Sequence, residues 1–238
     1  MQEYTLDCAS LNLSPDEIFR EMGYYKISPQ KEISDLVSTL LKEVMEFTRP
    51  SYVFKIIEGE VYESWVALEK KTVLHVDSVI AKLLKGSERF AIFAATAGTD
   101  FQRFQDKFKQ ESNTLNCFIL DTIGSCIVEK TGDQMEKSLL EKEIVGYKHT
   151  YRFSPGYCGW PLEDQKEIFH ILGNSPCGIS LSDVCLMHPI KSISGIIGIG
   201  SDIKEKKYGC DICQLETCYK RKLKKKVCYK PINGYPTV

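Results

Sequence analysis

Between residues 33 and 45 the apolar side chains Ile33, Leu36, Val37, Leu40, Leu41, Val44 and Met45 recur three and four positions apart, which lines them along one helical face. Ser28-Pro29 opens this predicted helix and Pro50 closes it, because the ring of a proline disfavours helical geometry in the residue before it. Upstream, Ser14-Pro15-Asp16-Glu17 has the order of an N-cap serine, a first-turn proline and a capping-box glutamate, so a short helix is predicted to run from there to about Gly23. Downstream the period changes. Residues 51–57 and 61–68 suit two strands of a β-hairpin that turns at Gly59. Residues 77–85 read as a helix closed by Gly86, residues 90–96 as a buried central strand, and residues 99–110 as an exposed amphipathic helix.

A long helix is predicted over residues 115–143, with a buried stripe of Leu115, Phe118, Ile119, Thr122, Ile123, Cys126 and Ile127. Gly124 and Gly132 interrupt it, each at a cost of about 1 kcal/mol relative to alanine, which points to close approach of other backbone or of a ligand. Glu129 sits one turn past Cys126 at the edge of the stripe, either solvated or aimed into a site. A β-like run at 146–151 and a helix at 162–172 ending at Gly173 follow. Two last strands, 184–188 and 193–199, are joined by Pro189-Ile-Lys-Ser192. No repeat or linker is evident, so the expected fold is one α+β domain with a twisted, mainly antiparallel sheet flanked by helices. Its expected parts are a helical segment at 1–50, the α+β body at 51–202, and a Cys-rich basic tail at 203–238.

Composition narrows the class. The 238 residues are 43% hydrophobic and 26% charged, ordinary values for a globular protein with a substantial core. The N-terminus lacks the basic start and apolar run of a signal peptide, and the longest apolar stretch, 90–97, is too short for a bilayer. A cytoplasmic protein without a membrane partner is expected. Ten cysteines in that setting argue for reduced, packed thiols rather than a disulfide framework. The net charge of −1 conceals an asymmetry: from Ser201 onward ten Lys/Arg face four Asp/Glu, a balance of +6, which leaves −7 for the rest. One short basic run in a near-neutral chain argues against nucleic acid as the partner.

Candidate chemistry concentrates in two places. The stretch Tyr151-Arg-Phe-Ser-Pro-Gly-Tyr-Cys-Gly-Trp-Pro161 folds tightly around an arginine and several aromatics. Such a bend is either a rigid corner whose rings fill core or a cradle for something flat and charged. The tail carries Cys210-x-x-Cys213-x4-Cys218, with Cys228 ten residues later. Thiolates so spaced suit tetrahedral zinc or an iron–sulfur cluster, the alternative being reduced cysteines on a basic tail. Residues 94–99 and 195–200 lack the glycine order of nucleotide loops, and the four histidines form no metal pattern.

The segment Arg152-Phe-Ser-Pro-Gly-Tyr157, with Pro161 and a helix beginning at Glu163, resembles the Arg-x-x-Pro-Gly-Tyr signature of the reactivation domain of cobalamin-dependent methionine synthase. Leu181-Ser-Asp-Val-Cys-Leu-Met-His-Pro189 followed by Ser192-x-Ser-Gly195 looks like that domain's later strand pair, and Asp121-Thr-Ile-Gly-Ser-Cys-Ile-Val-Glu129 like its long helix. Ile18-Phe-Arg-Glu-Met-Gly-Tyr24 and the cysteine tail are more similar to free-standing relatives than to the fused form. The resemblance implies a domain that binds S-adenosylmethionine, docks on a cobalamin-carrying methionine synthase or related corrinoid protein, and supports reductive methylation of Co(II)alamin with a flavodoxin- or ferredoxin-type donor. It implies that Arg152 takes the ligand carboxylate, that the Ser154-Pro155-Gly156 backbone meets the nucleoside, that Tyr157 packs on it, and that Glu129 holds its polar or cationic parts. The family's N-terminal Asp has no counterpart here, and Tyr208 is the one match to its later Tyr. The competing expectation is a zinc or iron–sulfur redox or interaction module, built on the tail, that acts on another corrinoid protein and whose S-adenosylmethionine pocket is vestigial.

Overall fold

A computed structural model describes residues 2–204, apart from 26, 70 and 174. A short strand β1 (Glu3–Thr5) and a 3-10 turn (Cys8–Leu11) lead into α1 (Pro15–Glu21) and α2 (Lys31–Phe47). The capping box forms as its spelling predicts: the Ser14 hydroxyl accepts from the Glu17 N–H, and the Glu17 carboxylate accepts from the Ser14 N–H at 2.9 Å. Glu17 also pairs with Lys130 at 2.7 Å. Burial pushes its carboxyl up, but hydrogen bonds from Lys130 and Ser14 outweigh this and the net shift is downward. That contribution to stability is therefore present at neutral pH and is lost as the pH falls through Glu17's own range. Ser14→Ala is expected to cost about 1 kcal/mol in denaturant unfolding, because it leaves an N-terminal N–H of α1 unpaired.

The sheet follows. Its strands are β2 (Ser51–Val61), β3 (Val66–Leu68), β4 (Thr72–Leu74), β5 (Arg89–Thr96), β6 (Lys148–His149) and, last in sequence, β9 (Ser192–Gly200). Between them lie α3 (Asp77–Leu84), α4 (Thr99–Gln110), α5 (Thr114–Lys142) and α6 (Gln165–Leu172), while β7 (Ser180–Leu181) and β8 (Met187–His188) make a separate small hairpin. The spatial order is β4-β3-β2-β5-β9-β6, with β1 added to the free edge of β2 ahead of β3, and every pairing is antiparallel. Central β5 is buried along nearly its whole length because both faces are covered. Phe90, Ile92 and Ala94 meet α3 and α6, and Ala91, Phe93 and Ala95 meet the second half of α5. A third cluster joins α1, α2 and α4 to the first half of α5. Alternation along one strand thus builds two of the three cores.

Several expectations need correction. Gly59 is not a turn; it lies within β2 opposite Leu68, and the chain reverses at 62–65, where the Tyr62 N–H bonds the Trp65 carbonyl at 2.8 Å. Leu115 and Phe118 are 44% and 52% exposed, although Ile119 and Leu120 beside them are fully buried, so the covered face of α5 is rotated away from the expected stripe at its start. The segment ending at His188 does not pair with the strand after Pro189: β8 pairs with β7, and β9 with β5. β1 carries no strand pattern long enough to detect and exists because β2 offers it an edge. None of the described cysteines forms a disulfide, and burial pushes the Cys8 thiol up to about 11 and Cys177 to about 12. Among the described residues, no helix is long and apolar enough to cross a membrane.

Candidate functional site

Residues 148–153 run along the outer edge of β9. β6 pairs with Gly200 and Ile199, Thr150 bonds to Gly198, and Phe153 exchanges two hydrogen bonds with Ile196, at 3.0 and 2.8 Å. Neighbouring side chains on an extended segment point to opposite faces. Phe153 is buried with α3 and α6, while Arg152 turns toward α5. Gly195 permits this path, because a Cβ at that position would overlap the Phe153 carbonyl oxygen.

Arg152 ends in a group of three carboxylates from one face of α5. Its Nη2 donates to Asp133 at 2.8 Å and to Glu129 at 3.3 Å, and Nη1 lies 3.5 Å from Glu136. The arginine side chain is only 19% exposed, whereas those of Glu129 and Asp133 are 62% and 63% exposed. One edge of the fork is thus met by two exposed carboxylates, and the other is turned inward. Glu136 also faces His149 Nδ1 at 3.4 Å. Burial raises the Glu136 carboxyl above its ordinary value, against the opposing charges of Arg152 and His149.

Gly132 makes the seat. A Cβ there would fall 2.7 Å from Arg152 Nη1 and 3.0 Å from Ile193 Cδ1. Gly124, two turns earlier, makes a similar notch for the Phe101 ring at 2.5 Å and the Lys191 stem at 2.8 Å, and Lys191 Nζ reaches Asp121 at 2.7 Å and Ser125 at 3.0 Å. The approach expected at both glycines is of backbone or a ligand; the atoms that come close are instead side chains of this chain. Gly132→Ala is expected to leave unfolding free energy within about 1 kcal/mol of the parent, since alanine's better helix propensity offsets the crowding. It should nevertheless shift the Arg152 guanidinium signals in 15N NMR.

Beyond Phe153 the chain forms the predicted bend. Pro155 is buried, Ser154 half-buried, and Gly156 exposed at φ +91°. The Gly156 N–H donates to the Trp160 carbonyl at 2.8 Å and the Trp160 N–H to the Tyr157 carbonyl at 2.9 Å, which closes the bend on itself. Tyr157 is 59% exposed and Trp160 2%. The two expectations for this stretch are therefore divided between its residues: Phe153 and Trp160 fill core, and Arg152 and Tyr157 do not.

The structure brings Glu129 and Arg152 into contact, with Ser154, Pro155, Gly156 and Tyr157 on the adjoining turn. Asp133 and Glu136 were missed, although positions 129, 133 and 136 share one helical face and the spacing alone could have flagged them. Cys210, Cys213, Cys218 and Cys228 lie outside the described residues. Among the described residues, no group of three or more His, Cys, Asp or Glu is placed to hold a metal ion.

Comparison with known proteins gives three results. No curated protein matches the chain. Among solved structures, the crystal structure of the MetH reactivation domain bound to AdoHcy superposes with a TM-score of 0.65 at 16% identity, covering 87% of this chain and 80% of that one. Its likeness establishes a shared fold. The family model for the activation domain of vitamin B12-dependent methionine synthase matches residues 64–222, which include β3 to β9, the whole of α5 and the Arg152–Pro161 bend. With more than half of its length covered, the chain belongs to the vitamin B12-dependent methionine synthase activation-domain family.

Proposed function

We propose that this chain binds S-adenosylmethionine and acts in the cytoplasm as a reactivation subunit for a cobalamin-dependent methionine synthase or related corrinoid protein. The observation that carries the proposal is the Arg152 fork, seated beside the Ser154–Tyr157 turn in a chain of this family. A guanidinium recognises a carboxylate through two parallel hydrogen bonds. Its Nη2 edge is met by exposed carboxylates, so a ligand carboxylate replaces them by letting Asp133 and Glu129 rotate into water. Glu136, less exposed, stays behind Nη1 and keeps the fork oriented. The exposed Tyr157 ring offers an aromatic face to a sulfonium, and Glu129, once released from Arg152, offers it a negative charge.

Reductive methylation breaks the S–CH3 bond of S-adenosylmethionine, forms a Co–CH3 bond and releases a neutral thioether, after one electron from a flavodoxin- or ferredoxin-type donor has made Co(I). The partner's cobalamin supplies the nucleophile, so this chain needs no general acid or base and contributes position and alignment. The test is to mix the chain with a methionine synthase loaded with Co(II)alamin, a reductant and methyl-labelled S-adenosylmethionine. Label should reach cobalt only when the chain is present; equal labelling without it rules out the proposal.

The spacing Cys210-x-x-Cys213-x4-Cys218 favours a second reading, a zinc or iron–sulfur module that relays the electron or docks the donor. Iron, sulfide and zinc analysis of anaerobically purified protein decides it. A metal-free protein that binds S-adenosylmethionine removes this reading.

A further inference from the structure

The bend Ser154–Pro161 is held from behind by a residue outside the family signature. Asp164, at the end of the 3-10 turn Leu162–Asp164 that precedes α6, is 7% exposed. Its Oδ2 accepts from the Trp160 indole Nε1–H at 2.9 Å and from the backbone N–H of His75, while its Oδ1 faces His75 Nδ1 at 3.2 Å. The same stretch of chain touches the bend a second time: a Cβ on Gly159 would lie 2.9 Å from the Asp77 carboxyl. Trp160 in turn closes the bend through its bonds to Gly156 and Tyr157. One buried carboxylate therefore ties the bend, four residues before it, to the His75 segment 89 positions away, and the Tyr157 turn rests on that tie.

We infer that Asp164, acting through the Trp160 indole, is the positioning residue for the Ser154–Tyr157 turn, and sets its affinity for the nucleoside part of the ligand. The inference rests on the ligand reading above. A buried indole N–H without an acceptor is costly. If Asp164 served only core packing, an apolar residue of similar size would replace it without moving the turn. The geometry gives a sharper discrimination. An asparagine can place its oxygen where Oδ2 accepts the two N–H groups and its amide N–H toward an unprotonated His75 Nδ1. Asp164→Asn should therefore preserve the turn, whereas Asp164→Ala should release it. Trp160→Phe keeps a six-membered ring in the core but removes the N–H together with the fused five-membered ring.

The experiment uses the full chain carrying Trp65→Phe. That change leaves Trp160 as the one tryptophan and keeps an aromatic ring stacked on Tyr62. S-adenosylmethionine is titrated by calorimetry and by Trp160 emission. Asp164→Ala and Trp160→Phe are expected to weaken binding by about tenfold or more, Asp164→Ala with a red-shifted indole emission, while Asp164→Asn stays close to the parent in both. Equal binding by the parent, Asp164→Ala and Trp160→Phe overturns this inference alone. So does Asp164→Asn binding as weakly as Asp164→Ala. Should Asp164→Ala fail to fold, Trp160→Phe decides, since it keeps a six-membered ring in the core and its folding is checked by thermal unfolding. A parent that does not bind S-adenosylmethionine overturns the ligand reading, and this inference with it.

Discussion

Arg152→Ala is expected to reduce S-adenosylmethionine affinity by at least about 30-fold, because truncating one partner of a largely desolvated charge pair costs 2–5 kcal/mol or more. The same change should lower thermal stability, since Glu129, Asp133 and Glu136 then face one another on α5 without their shared cation. Two further substitutions separate these effects. Arg152→Lys keeps the charge but not the planar fork, so it should recover most of the stability and little of the affinity. Asp133→Ala removes the carboxylate closest to Nη2 and should bind no more weakly than the parent, since that carboxylate competes with the ligand. Calorimetry and thermal unfolding on the four proteins measure both quantities. Unchanged affinity in Arg152→Ala would show that the ligand carboxylate is held elsewhere.

Gly195→Ala is expected to be the most damaging single methyl group in the region. The overlap it creates is with a backbone carbonyl, which cannot turn aside as a side chain can. The Phe153 segment must therefore move off β9, losing both hydrogen bonds to Ile196. Overpacking of this kind costs about 1–3 kcal/mol, and the lost pair adds about 1 kcal/mol per bond. Because Arg152 precedes Phe153, the fork moves with it, and S-adenosylmethionine binding should fall together with stability. Denaturant unfolding and ligand titration test this directly; a variant as stable as the parent and still binding would mean that the edge of β9 does not position Arg152. The contrast with Gly132→Ala is instructive. There the obstructed atom is the far end of an arginine, so position is lost while the fold is kept.

The helices were legible to within a few residues because their signals are local. The capping box at Ser14, the apolar period of α2 and the run 99–110 each lie within a few turns of contiguous chain. The Arg152–Pro161 bend was equally legible, since prolines and glycines limit backbone geometry wherever they stand. Strand partners were harder. Whether 184–188 pairs with 193–199 depends on which edge each strand meets, and alternation marks only which face is buried. Phe118 shows the same limit in a helix: its spacing places it on the apolar stripe, but the face that α5 buries there is the one carrying Ile119 and Leu120, and packing decides which face is covered.

By itself the sequence determined the order of the helices, the stiff bend with its arginine, and the family resemblance carried by Arg152-Phe-Ser-Pro-Gly-Tyr157. Only the tertiary structure decided that Arg152 rests against Asp133 and Glu136 in a notch left by Gly132, and that Trp160 is tied to Asp164 and thereby to His75. The reason is physical. Backbone preferences are short-ranged and written residue by residue, whereas the partner of a buried charge or indole N–H is fixed by what folding brings within hydrogen-bond reach. For the Asp164 carboxylate and the His75 N–H, that partner lies 89 positions away along the chain.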